Sequence, residues 1–216
     1  MGGWRSARAT LIWVALALAI GVPIAFAAAS EQLAWRGPVY ILAGFAGIIA
    51  LALVLVQPLL IGGYLPGFSA YRGRRAHHWI GSALVLAVVI HVAGLWITSP
   101  PDMIDALTYA SPTPFSPFGV TAMWAIFAVA LLAAFRRNWG WRPRTWRFLH
   151  MPLAIVIVAG SVIHCVLIEG TMETVTKLAL CAFVVAAAIK VMVDLQVWRK
   201  RRTLRGEGAS RQETRV

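Results

Sequence analysis

The chain has 216 residues, of which 60% are hydrophobic and 13% charged, with a formal net charge of +12. Soluble domains carry roughly 45–50% apolar and about 25% charged residues, and basic disordered chains or nucleic-acid binders lack long uncharged apolar runs. A soluble fold, a disordered chain and a nucleic-acid partner are therefore set aside for a small multi-pass protein whose first partner is the lipid bilayer, with no second sizeable soluble domain.

Six apolar segments follow in chain order, at about 9–29, 38–61, 77–98, 118–135, 148–168 and 174–198. Each reaches the roughly 20 residues that a helix needs to cross the hydrocarbon. They predict an all-α, six-helix transmembrane bundle. Gly37-Pro38 opens the second segment, and Gly62-Gly63 and Pro66-Gly67 close it. Ser99-Pro100-Pro101 ends the third, and Pro143 lies in the connection after the fourth; Gly and Pro are the usual punctuation between elements. The first segment follows Arg5 and Arg8 and ends in Ala27-Ala28-Ala29-Ser30, as a cleaved signal does. Its apolar run exceeds the roughly 7–15 residues of a signal peptide, so a retained span is expected. The longest connection, Ser99 to Gly119, is expected to hold a short helix near 101–110 and to act as a lid. Residues 1–198 form the membrane domain, with its core at 38–198. Residues 199–216 form a basic cytoplasmic tail, unstructured from Thr203.

Charge alternates between the connections. Arg5, Arg8, Arg72, Arg74, Arg75, Arg136, Arg137, Arg142, Arg144, Arg147 and the seven cations from Arg199 to Arg215 put 17 of the 20 basic residues on one side. The other side holds Glu31, Asp102, Asp105, Glu169 and Glu173, with only Arg36 and Lys177 as cations. The positive-inside rule then sets both termini in the cytoplasm of a multi-pass protein of the inner (plasma) membrane. This requires an even number of spans. Eight of the ten tryptophans fall at expected interfaces, among them Trp4, Trp35, Trp79, Trp96, Trp146 and Trp198; Trp13 and Trp124 fall inside spans and are expected to pack there. Lys190 and Asp194, four apart near the end of the sixth span, are expected to pair.

Cys165 and Cys181 form no CxxC or CxxCH motif and read as small buried apolar residues. The histidines are more informative, because ionisable residues inside spans are costly and point to function. His77 and His91 are 14 residues apart, and so are His150 and His164. On a helix, 14 residues fall about 40° short of four turns and rise about 21 Å, so each pair shares a face with one ring near each membrane surface. His78 points away from His91 on this geometry, which makes His77 the better partner and His78 the alternative. The third and fifth spans run in the same direction. His77 and His150 therefore share the inner level, and His91 and His164 the outer one. Two imidazoles are too few for zinc, but they complete an iron that already has four porphyrin nitrogens. Two bis-histidine b-type hemes are the economical reading. Gly81, Gly94 and Gly160 lie near these histidines, where they would admit either a porphyrin or a neighbouring helix. Arg74, Arg75, Arg144 and Arg147 lie within two turns of the inner pair and are candidate partners for heme carboxylates.

The stretch Arg75-Ala76-His77-His78-Trp79-Ile80-Gly81 ending at His91, and the stretch Arg147-Phe148-Leu149-His150 ending at His164, resemble the ferric reductase-like transmembrane domain superfamily. That superfamily includes the membrane cores of ferric-chelate reductases and NADPH oxidases, and the heme-binding membrane subunit of a bacterial periplasmic methionine sulfoxide reductase. The resemblance covers about 38–198. It implies a six-helix bundle in which His77, His91, His150 and His164 hold two hemes, with electrons entering from the cytoplasm and leaving outside. Ferric reductases and NADPH oxidases carry a flavin and nicotinamide domain after the last helix, whereas this sequence shows no GxGxxG after its last span. The expected donor is therefore a separate flavoprotein, through which flavin would enter, or membrane quinol, with quinone as a further cofactor. The expected acceptor is periplasmic. Two alternatives stand beside this oxidoreductase or electron-transfer reading. One is a heme-bearing partner subunit of a periplasmic reductase such as methionine sulfoxide reductase. The other is a non-redox transporter or assembly factor.

Overall fold

In the computed structural model the chain is all-helical. The described residues are 2–136 and 138–213, with the side chains of residues 2, 3, 5 and 196–213 not described. The helices are α1 (Gly2–Ala28), α2 (Pro38–Ile61), α3 (Ala70–Thr98), α4 (Pro100–Leu107), α5 (Ser116–Phe135), α6 (Pro143–Leu167) and α7 (Thr174–Glu213), with one 3-10 turn at Glu31–Leu33. Six of them contain a stretch long and apolar enough to cross a membrane, so the chain is a multi-pass membrane protein. Helices suit that setting because each segment satisfies its own backbone hydrogen bonds without water.

Local sequence sets the ends. Pro38, Pro100 and Pro143 each stand at the first helical position, where a missing N–H costs nothing. Ser69 caps α3 by accepting from the Arg72 N–H at 3.3 Å. Glu173 caps α7 with both carboxylate oxygens, which accept from Val175 and Thr176 at 2.8 Å each. Gly63 and Gly67 adopt positive φ in the turn between α2 and α3, a conformation that glycine enters freely.

The expected short helix in the longest connection is α4, which buries Met103 and Ala106 against the bundle. The helix α7 continues past its apolar part, Thr174–Leu195, to Glu213. This corrects the expectation of an unstructured tail from Thr203. The segment contains no proline and is rich in arginine, which favours helix. The expected interfacial role of Trp198 and the placement of Arg5, Arg137 and the cations from Arg199 onward lie outside the described side chains. Trp13 and Trp124, expected to pack within their spans, stay partly exposed, at 41% and 54%. Their rings meet Phe68 and Phe127 respectively.

The bundle is built from two antiparallel hairpins, α2 with α3 and α5 with α6. The helix α7 packs against α2 and α6 and joins the hairpins, while α1 lies on the outside of α7. Leu180 and Val184 of α7 are fully buried at this junction. Close approach within each hairpin depends on small residues. A methyl on Gly94 would meet the Ala43 Cβ at 2.7 Å, and one on Gly160 would meet the Phe118 carbonyl oxygen at 2.8 Å. Both glycines therefore serve helix packing. The two histidine-bearing helices, α3 and α6, pack on their own hairpin partners and have no comparable seam with each other.

Candidate functional site

The four histidines that share faces by sequence lie between the hairpins. His77 and His150 have ring centres 6.2 Å apart, with planes at 76°. His91 and His164 lie within electrostatic reach of each other. All four are half-buried, whereas His78 is exposed. His77, rather than its neighbour, faces the opposing helix.

Each ring of the His91/His164 level is fixed by the backbone of its hairpin partner. The His91 Nδ1 lies 2.7 Å from the Ala43 carbonyl oxygen of α2, and the His164 Nδ1 lies 3.0 Å from that of Phe115 at the start of α5. A carbonyl oxygen only accepts, so each Nδ1 must carry the hydrogen. In a neutral ring, Nε2 then keeps the free lone pair. Helical side chains tilt toward the N-terminus and cover the carbonyl four residues earlier. Four residues after Ala43 stands Gly47, and four after Phe115 stands Gly119. A methyl at Gly47 would lie 2.9 Å from His91 Nδ1, and one at Gly119 would lie 2.5 Å from His164 Nδ1. Glycine at these two positions is what lets each imidazole reach its carbonyl. The Phe115 ring also meets His164 edge-on at 5.6 Å.

The His77/His150 level is held differently. His77 Nδ1 is 3.4 Å from the Gln57 carbonyl oxygen, where Ile61 rather than glycine stands four residues on. The Gln57 side-chain amide lies against both His77 and Gly81. With its nitrogen toward the ring it donates to Nδ1 while its oxygen accepts from the Gly81 N–H at 2.8 Å; turned the other way it offers oxygen to a protonated Nδ1 and gives up the Gly81 bond, so its orientation follows the tautomer of His77. The buried His150 Nδ1 has no hydrogen-bond partner among the described residues. Its ring instead stacks on Trp146 at 5.1 Å and 17°, and the Arg136 guanidinium covers that indole at 4.9 Å.

The other charged groups fall into place around these levels. Arg75 and Arg147 are exposed near the His77/His150 level, and Arg147 Nε donates to the Pro143 carbonyl at 3.4 Å. The expected pair Lys190–Asp194 forms at 2.5 Å, and Tyr64 joins it by hydrogen-bonding both partners. Cys165 and Cys181 are free thiols in contact between α6 and α7. Among the described residues, no three His, Cys, Asp or Glu side chains gather as a bare-metal site. Sequence reasoning found the four histidines but missed Gly47, Gly119, Gln57 and Trp146. A glycine four residues after a carbonyl is a signal only once the facing helix is known. Trp146, by contrast, is readable as the residue four before His150.

No curated protein and no solved structure matches the chain. The family model for the ferric reductase like transmembrane component matches residues 43–161. The match opens at Ala43, whose carbonyl holds His91, and closes in α6 three residues before His164. It spans more than half of the sequence and takes in most of both hairpins, a family placement that accords with a role in membrane electron transfer. The chain belongs to the ferric reductase-like transmembrane component family.

Proposed function

We propose that this chain carries electrons across the inner membrane through two b-type hemes, one between His77 and His150 and one between His91 and His164. The observation that carries the reading is the 6.2 Å between the His77 and His150 ring centres. Two imidazoles on opposite sides of one metal, each at about 2.0–2.1 Å, put their ring centres about 6 Å apart. The near-perpendicular planes are compatible with this, because each ring can turn about its own metal–nitrogen axis. Three further features fit the group: the Nε2 lone pairs of His91 and His164, the missing backbone seam between α3 and α6, and the orphaned nitrogen of His150. When bound, each heme supplies four nitrogens and an iron that takes up and releases one electron.

The protein's part is to hold and orient. His77, His91, His150 and His164 would hold the two hemes through their imidazoles. The carbonyls of Ala43 and Phe115 fix two of them, and hydrogen bonds of this kind raise ligand basicity. Arg75 and Arg147 stand where the carboxylates of the His77/His150 heme would emerge. With both termini in the cytoplasm, the orientation that the charge pattern supports, that level is the entry side. Electrons come from quinol or a separate flavoprotein and leave to a periplasmic acceptor.

Purified protein should show a reduced b-type spectrum with about two hemes per chain; a colourless protein overturns the reading in favour of a non-redox role. His91→Ala should remove one heme and His78→Ala neither. Unchanged heme content in His91→Ala rejects that ligand. Reduction by a quinol analogue identifies the donor, and co-purification with a periplasmic reductase would mark the chain as its membrane subunit.

A further inference from the structure

We propose that Lys177 is the counter-cation of the carboxylate side chains of the His91/His164 heme, and that it raises that heme's potential. The proposal rests on the two-heme reading above.

Lys177 lies in the opening turns of α7 and is only 7% exposed. Its Nζ donates to the Ile168 carbonyl at 3.0 Å. Ile168 ends α6, and its own N–H bonds the His164 carbonyl at 3.0 Å, so the ammonium sits about one turn beyond His164. One carbonyl satisfies one of three N–H donors; the Cys165 and Cys181 thiols lie within electrostatic reach, and among the described residues no carboxylate pairs with the ammonium. Among the described residues the one ion pair is Lys190–Asp194, near the other end of the apolar part of α7. Glu173, the nearest acid in sequence, spends both oxygens on capping α7. The N-terminus of α7 adds further positive partial charge around Lys177.

Burial without a counter-charge is costly, and the outer side of the membrane is where cations are scarce in this sequence. Lys177 is therefore a cation held ready for an anion that approaches from within the bundle beside His164. A heme carboxylate has the right charge and is an acceptor for charge-assisted bonds. A positive charge close to the iron favours the reduced form, and in a low-dielectric interior it acts with little screening.

The test is a spectroelectrochemical titration of the full-chain holoprotein, comparing wild type with Lys177→Met and Lys177→Arg. The heme in question is the one lost in His91→Ala. Lys177→Met should lower its midpoint potential and leave the other heme's unchanged, and Lys177→Arg should restore most of the difference. The titration is then repeated on protein made without heme and reconstituted with heme whose two carboxylates are methyl esters; wild type and Lys177→Met should now coincide. An unshifted potential in Lys177→Met with both hemes bound overturns this proposal and leaves the two-heme reading intact. A difference that survives esterification also overturns it and assigns Lys177 to another anion, such as a lipid phosphate. If Lys177→Met does not retain heme, wild-type retention of esterified against free-acid heme decides: weaker retention at this level supports the pairing, and equal retention rejects it. A heme-free wild type overturns both readings.

Discussion

The two histidine levels solve one problem by different means. At the His91/His164 level both rings are pinned by main-chain carbonyls, at 2.7 and 3.0 Å, through gaps left by Gly47 and Gly119. At the His77/His150 level one ring has a long bond of 3.4 Å and an adjustable amide beside it, and the other has a stacked indole and an unpartnered nitrogen. Backbone pins depend on helix packing and resist change in any side chain except the glycines. Side-chain supports tolerate movement and can be tuned one residue at a time. The first level should therefore fail all at once, and the second by degrees.

Gly119→Ala should break the backbone-pinned level most severely, because the new methyl would lie 2.5 Å from the His164 ring nitrogen. Heme content per chain should fall by half. Gly47→Ala, with 2.9 Å to the His91 nitrogen, should lose less of the same heme. Equal content in both variants and wild type would mean that the rings do not need these gaps.

Trp146→Leu comes next. It removes the ring on which His150 stacks and the platform under Arg136. Partial loss of the His77/His150 heme is expected, with the other level intact. Loss from both levels would show that the two are not independent.

Gln57→Leu should retain both hemes and shift only the potential of the His77/His150 heme. A ligating His77 carries its proton on Nδ1, which then calls for an acceptor. If the amide turns its oxygen to that proton, removing it lowers ligand basicity and raises the potential. A redox titration reads the sign directly, and a fall would mean that the amide nitrogen faces the ring.

The smallest effect is expected at Glu173, outside both levels. Backbone N–H bonds from Val175 and then Thr176 hold its carboxyl below the usual glutamate value. A depressed pKa in the fold means that the cap stabilises above the ordinary value of about 4.3 and is lost as pH falls through the folded one. Glu173→Ala should lower the thermal midpoint at neutral pH, and the gap to wild type should close in acid. A gap independent of pH would show that the ionised cap is not the source.

Much of this was readable in advance, for physical reasons. Span existence depends on apolar runs that no tertiary contact can conceal. The pairing of His77 with His91, and of His150 with His164, depends only on helix periodicity. The supports of each ring were not readable, because they come from the facing helix: nothing near His91 in sequence points to Ala43 or Gly47. Gly94 and Gly160 admitted two readings for the same reason, and only the position of Ala43 and Phe118 decides for packing. Arginine's helix propensity carried α7 beyond its apolar part, where the polar composition alone suggested an unstructured tail.

The missing seam between α3 and α6 bears on biogenesis. Each hairpin is a local unit, formed from neighbouring segments with short connections, and can pack as soon as its second helix enters the bilayer. The two halves then meet through α7, which is synthesised after both. Cofactor capture would be a late event that clasps two ready-made halves. Cells starved of iron should accordingly accumulate an inserted, helical but loosely joined protein, more open to proteolysis between the hairpins than the loaded form.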